Sequence, residues 1–184
     1  MNRSLTCFLG CFVAFISSAA SAAEPTLSLR KECLHHLQQR TAAMQARDYD
    51  SMERFSNIYI KRCEGVDSPA DFSRAYWQAG AAAAMRKQHV VALKYFEGCM
   101  RVSYGNASCQ VGKVSALMNL NRKAEARKLH GTASKLVAAK LAAVKQELSH
   151  GVSGIEKELL EEDLESLEID QQSLQLYAEQ LEGD

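Results

Sequence analysis

The chain has 184 residues, a length that allows one domain or at most two small ones. Lysine plus arginine and aspartate plus glutamate each number 22, so the net charge gives no sign of a nucleic-acid partner. Two prolines and ten glycines, set against long stretches of Ala, Leu, Glu, Lys and Gln, predict an all-α protein and argue against a β fold.

Residues 1–22 predict the compartment. Arg3 precedes an apolar run, and the small residues Ala20-Ser21-Ala22 follow it. This layout is typical of a cleaved secretory signal peptide. The apolar run is shorter than the roughly 20 residues that a transmembrane helix requires. We therefore expect a periplasmic or secreted protein, without stable membrane insertion, in a compartment where disulfides form.

Apolar spacing and capping residues then predict one helix after another. Ser68-Pro69 illustrates the signal, since Ser is a favoured N-cap and Pro is tolerated in the first turn. The predicted helices cover residues 27–46, 51–63, 68–85, 90–101 and 107–120, and a sixth follows residue 121. Such helix–turn–helix repetition predicts an internal repeat between residues 23 and 133.

Two different offsets could describe the period of this repeat. An offset of 32 residues pairs Gly80 with Gly112, whereas an offset of 34 residues pairs Ala92 with Ala126. The sequence alone leaves the register of the second unit open. Either offset predicts pairs of antiparallel helices stacked into a short solenoid.

The spacing Tyr76-x3-Gly80-x11-Ala92-x3-Phe96 resembles the small and aromatic positions of a tetratricopeptide repeat. The resemblance extends over residues 48–133 and implies closely crossing helices within each unit. It also implies a concave groove that binds a peptide or a partner helix, lined by the first helix of each unit.

Residues 134–184 differ in pattern and charge. Residues 155–184 hold eleven acids against one lysine, while the preceding residues are basic. Heptad spacing in both halves predicts a long antiparallel helical hairpin with an acidic last helix, or else a homodimer through that helix or a free acidic tail. Ser153-x-x-Glu156 predicts a capping box. The expected seam positions are Val137, Leu141, Val144, Leu148, Leu160, Leu164, Leu167, Gln171, Leu174, Ala178 and Leu181.

Four cysteines remain once residues 1–22 are removed. Cys33 and Cys63 are equidistant from a predicted turn at residue 48, and Cys99 and Cys109 are equidistant from one at residue 104. Residues equidistant from a hairpin turn lie opposite each other, so we expect two disulfides with these pairings. The placement is similar to that in cysteine-rich Sel-type repeat proteins, although their glycine-rich loop is absent. Buried free thiols are the alternative.

The sequence contains few residue patterns that indicate a catalytic or metal site. No histidine, cysteine and carboxylate set has convincing metal spacing, so we expect no metal and no cofactor. We expect a non-enzymatic module that binds another protein or peptide, such as an immunity or adaptor protein, and no nucleic acid. The alternatives are a weak hydrolase, as the Sel-type resemblance implies, or a structural oligomer. Ser28-x-x-Lys31 matches the serine–lysine pair of penicillin-interacting enzymes, but the partner motifs of those enzymes are absent. The predicted groove residues are Arg74, Tyr76, Trp77, Gln78, Gln110, Lys113 and Asn119.

Overall fold

The computed structural model describes residues 27–183, which form seven α-helices and, within that range, no strand. The fold is therefore all-α, as predicted. The proposed signal peptide, residues 1–22, lies outside the described residues. None of the described helices is long and apolar enough to cross a membrane. The helices are α1 (Leu27–Gln45), α2 (Tyr49–Arg62), α3 (Pro69–Met85), α4 (His89–Val102), α5 (Ala107–Asn119), α6 (Lys123–Ser149) and α7 (Ile155–Glu182).

Side-chain caps explain where three of these helices begin. Asp48, Ser68 and Asn106 precede α2, α3 and α5, and each accepts a hydrogen bond from a backbone N–H in the first turn. The predicted capping box of α7 is wrong. Its N-cap is Gly154, with a φ of 65°, and no side chain caps the helix. Glycine adopts this left-handed conformation without strain, so the chain turns there instead of at Ser153.

Three turns of one kind join the helices into hairpins α1–α2, α3–α4 and α5–α6. In each turn one residue has a left-handed φ, and the next N–H donates to the carbonyl five residues back, as in a Schellman motif. The left-handed residues are Arg47, Lys87 and Asn121, with φ values of 54°, 60° and 57°.

The turns settle the register of the repeat. Thirty-four residues separate Lys87 from Asn121, and the same offset relates the fully buried Ala92 and Ala126. The 32-residue pairing of Gly80 with Gly112 is wrong as a structural equivalence. Both glycines recur in the sequence for another reason, which is their common contact with one phenylalanine.

Phe96 joins the second hairpin to the third. A Cβ atom built on Gly80 of α3 would lie 2.8 Å from the Phe96 ring, and one on Gly112 of α5 would lie 2.4 Å from it. The ring is therefore held between two helix backbones, at a distance that only glycine permits. Ala83, Ala92 and other small residues continue the core around it.

Both predicted disulfides are confirmed. Cys33–Cys63 joins α1 to the end of α2, with Cα atoms 5.7 Å apart, and Cys99–Cys109 joins α4 to α5 at 6.0 Å. All four cysteines are fully buried. Pairs placed symmetrically about a turn meet because the flanking helices run antiparallel.

The C-terminal hairpin also forms as predicted. α6 and α7 pack together, and Leu167, Leu174 and Leu181 of α7 are buried. The alternative of a free acidic tail is wrong, because Leu167 and Leu174 pack with apolar residues of α5 and α6, and Leu181 packs in the core around Phe96. Gln171 is exposed in spite of its seam position. α6 continues unbroken through residue 133, so the proposed boundary between domains falls inside one helix.

α7 packs on α5 as well as on α6, just as α5 packs on α3 and α4. It therefore occupies the position that the first helix of a fourth hairpin would take. The first helices α1, α3, α5 and α7 consequently follow one another along one side of the solenoid.

Candidate binding groove

These first helices enclose a cavity of about 580 Å³, which we call the groove. α1, α3 and α5 form its floor, and α7 forms one wall. A volume of this order lies in the range of clefts that hold ligands in proteins. The residues that line it include Thr41, Met44, Ser73, Arg74, Trp77, Gln78, Asn106, Ser108, Glu162, Asp163 and Ser166.

The floor of the groove is polar and largely buried. Gln78 is 3% exposed, and its Nε2 lies 3.2 Å from the Met44 sulfur. Its Oε1 has no hydrogen-bond partner, which is uncommon for a buried amide oxygen. Beside it, Asn106 Nδ2 donates to Ser73 Oγ at 3.3 Å. Of these groups, the Gln78 oxygen is the acceptor that remains unused.

Trp77 lies partly in the core and partly in the groove. Part of its surface packs against the core around Phe96, and the rest lines the groove. It also lines an adjoining cavity of about 270 Å³, which extends the groove along α7 past Ile169. Trp77, predicted as a groove residue, therefore contributes to the core as well, because the indole is large enough to reach both.

The α7 wall carries exposed acids. Glu162 and Asp163 line the groove, and Glu165 lines its extension. None of the three forms an ion pair within residues 27–183. Arg74, on α3, is the only lysine or arginine lining either cavity. The groove is therefore net negative, because three exposed acids face one base.

Asp170 connects α7, the wall of the groove, to α5 in its floor. It is 8% exposed, and its Oδ2 accepts a hydrogen bond of 2.8 Å from Ser108 Oγ on α5. Burial raises the pKa of this carboxyl, and the bond from Ser108 opposes that rise. The contact holds α7 against α5 at the edge of the groove.

Two predicted groove residues turn inward. Tyr76 is half-buried and packs against α4, where a Cβ on Gly98 would lie 2.4 Å from its ring. Gln110 is fully buried, and its Nε2 donates to the Tyr104 carbonyl at 2.8 Å. Helix position alone misassigned both because the stacking of the hairpins decides which side of α3 and α5 is covered.

Two others lie elsewhere on the surface. Lys113 pairs with Glu97 of α4 at 3.1 Å. Asn119 is exposed near the end of α7, beside a separate cavity of about 420 Å³. Of the seven predicted residues, only Arg74, Trp77 and Gln78 line the groove.

The contribution of α7 to the groove was not predicted from the sequence. Glu162, Asp163 and Ser166 belong to a segment interpreted only as half of a coiled coil. Treating that segment as the first helix of a fourth unit would have placed them in the groove. Their acid-rich pattern was visible, but the position of α7 over α5 was not.

The proposed serine–lysine pair lies outside the groove. Ser28 and Lys31 are exposed among the first five residues of α1, 13 and 10 residues before Thr41, or about 20 Å and about 15 Å along the helix. Within residues 27–183, no group of three His, Cys, Asp or Glu residues is placed to hold a metal ion.

Comparison of the chain with protein-family models, curated proteins and solved structures returned no match.

Proposed function

We propose that this protein is a non-enzymatic interaction module that binds a segment of another protein in the groove. One observation carries the proposal: the first helices enclose a cavity of about 580 Å³ in which Trp77 is partly uncovered and Gln78 Oε1 is unsatisfied. An aromatic face and an unused acceptor on a concave floor favour a ligand that brings both apolar surface and donors.

The repeat architecture supports this function. Three turns of one kind, the last two of them 34 residues apart, and the small residues around Phe96 support a tetratricopeptide-like arrangement. We assign the chain to that architecture, with cysteines placed as in Sel-type repeats. Stacked hairpins of this kind present an extended concave surface, and protein segments are the usual ligands of such surfaces.

We place the protein in the periplasm or outside the cell. Two fully buried disulfides are consistent with an oxidising compartment, and residues 1–22 have the pattern of a secretory signal. Each bridge closes a loop of the chain, which stabilises a short solenoid by limiting its unfolded states.

Site-specific photocrosslinking in the native host tests the proposal. A photoreactive amino acid at Ser166, in the groove, should yield a defined adduct with one protein, and Trp77→Ala should reduce that adduct at least fivefold. The same amino acid at the exposed Val91, on α4, serves as the matched control. Equal adducts from both positions, or none from Ser166, would contradict a groove-bound partner.

A further inference from the structure

We infer that the partner segment is cationic and amphipathic, with lysine or arginine beside apolar side chains. The inference depends on the proposed function, since it names the chemistry of the segment that the groove binds. It is argued from the charges, the unsatisfied acceptor and the apolar surface around the groove.

The charge of the groove selects a basic ligand. Glu162, Asp163 and Glu165 are exposed on α7, and Arg74 is the only lysine or arginine that lines the groove or its extension. Lys140 and Glu147, which have opposite charges, line a neighbouring cavity that shares Asp163. Salt at 0.1 M screens exposed charges over roughly 10 Å, so the acids act on a ligand that lies in contact with the wall. A basic side chain is therefore attracted, and an acidic segment is repelled.

An independent observation on the floor points to the same chemistry. Gln78 Oε1 is buried and has no hydrogen-bond partner among the described residues, although Gln78 lines the groove. A buried acceptor left unmatched costs about 1–3 kcal/mol. The oxygen has almost no solvent-accessible surface, so a ligand reaches it only if the Gln78 side chain turns toward the groove. An ammonium or guanidinium group, which offers only donors, would then satisfy this oxygen and pair with the carboxylates of the wall.

The apolar part of the ligand would contact Trp77 and α7. Ile169 lines the groove extension beside Trp77 and is 56% exposed. Leu176 is 58% exposed and lies seven residues after Ile169, so the two side chains point to nearly the same side of α7. A partly uncovered indole also attracts cations through its ring face.

Tryptophan fluorescence provides the assay because Trp77 is the only tryptophan in the chain. The probes are two synthetic 14-residue peptides with the same leucine pattern, one carrying lysines and the other glutamates. The disulfide-intact protein should bind the lysine peptide with a change in Trp77 emission, and tenfold tighter or more than it binds the glutamate peptide.

Matched variants separate groove binding from general attraction to an acidic helix. Glu162→Gln with Glu165→Gln removes two charges at the groove, while Glu179→Gln with Glu182→Gln removes two exposed charges farther along α7. About 21 Å of helix separates residues 165 and 179. The groove pair should weaken lysine-peptide binding at least tenfold, and the control pair less than twofold.

Equal losses in both variants, tighter binding of the glutamate peptide, or no binding of either peptide would overturn the cationic assignment. Each of these results is compatible with a groove adduct from Ser166, in which case the interaction function stands and only the ligand chemistry fails. Absence of that adduct would instead remove the proposed function itself.

Discussion

Gly112→Ala probes the contact that joins the second hairpin to the third. The added Cβ would lie 2.4 Å, 2.6 Å and 2.8 Å from three atoms of the Phe96 ring. Real Cβ atoms do not approach so closely, so either the ring or the α5 backbone must move. Phe96 is only 3% exposed, and a second glycine backbone, at Gly80, lies on its other side.

Two effects of opposite sign set the magnitude. Alanine favours the helix over glycine by about 0.5–1 kcal/mol. Overpacking a filled core costs about 1–3 kcal/mol. The overpacking dominates because the ring has no free side toward which to move. We expect a net loss of about 1–2 kcal/mol, or about 2–8 °C in melting temperature for a domain of this size.

Urea unfolding of the disulfide-intact protein measures the loss, and Gly131→Ala is the matched control. Gly131 also lies inside a helix, but a Cβ there meets no atom within 4 Å. That substitution should stabilise the protein by about 0.5–1 kcal/mol. In a Phe96→Leu background, Gly112→Ala should reduce the free energy of unfolding much less than it does in the parent.

Gly112→Ala protein as stable as the parent would refute the close approach of α4 and α5. A cost that stays the same in the Phe96→Leu background would show that the ring is not what the new methyl group meets. Either result would remove the packing argument for stacked hairpins, although the helices themselves would still stand.

Three further predictions concern buried charge and the α7 wall. Burial raises the pKa of Asp170 from the ordinary carboxyl value of 3.8, so the folded protein should lose stability as the pH rises above 3.8. Asp170→Asn should flatten this pH dependence and raise the melting temperature at pH 7. Arg40 is fully buried with Nε and Nη2 unpaired, so Arg40→Met should unfold in no less urea than the parent, whereas Arg40→Ala should lose about 2–4 kcal/mol through a cavity. Deleting residues 155–184 should expose Val137 and Leu141 and cause aggregation at low and high salt alike, measured by light scattering; a soluble monomer with unchanged melting temperature would contradict this.

Local chemistry was sufficient to predict the helices and the disulfides. The starts of α3 and α5 after Ser68 and Asn106 depend on caps within a few residues, and such signals act without tertiary contacts. The second helix was expected from residue 51 and begins at Tyr49, because Asp48 at the predicted turn caps it. The two disulfides followed from hairpin symmetry, which is a property of two neighbouring helices and the turn between them.

The exact register could not be predicted in the same way. The turns that define it place Lys87 and Asn121 in the left-handed region, where glycine is the usual sequence signal. Without that signal, the glycine pair at 80 and 112 suggested a competing offset. Only the shared contact with Phe96 shows why those glycines recur.

The composition of the groove was decided by tertiary structure alone. Sequence periodicity identifies one buried stripe on a helix, but stacked hairpins cover a helix on several sides at once. The stacking angle buried Gln110 while leaving Trp77 partly open, although both lie on first helices. It also placed α7 over α5, which turned an acidic segment into a wall of the groove. That placement depends on contacts between residues more than 60 positions apart, such as Ser108 with Asp170, which no local pattern encodes.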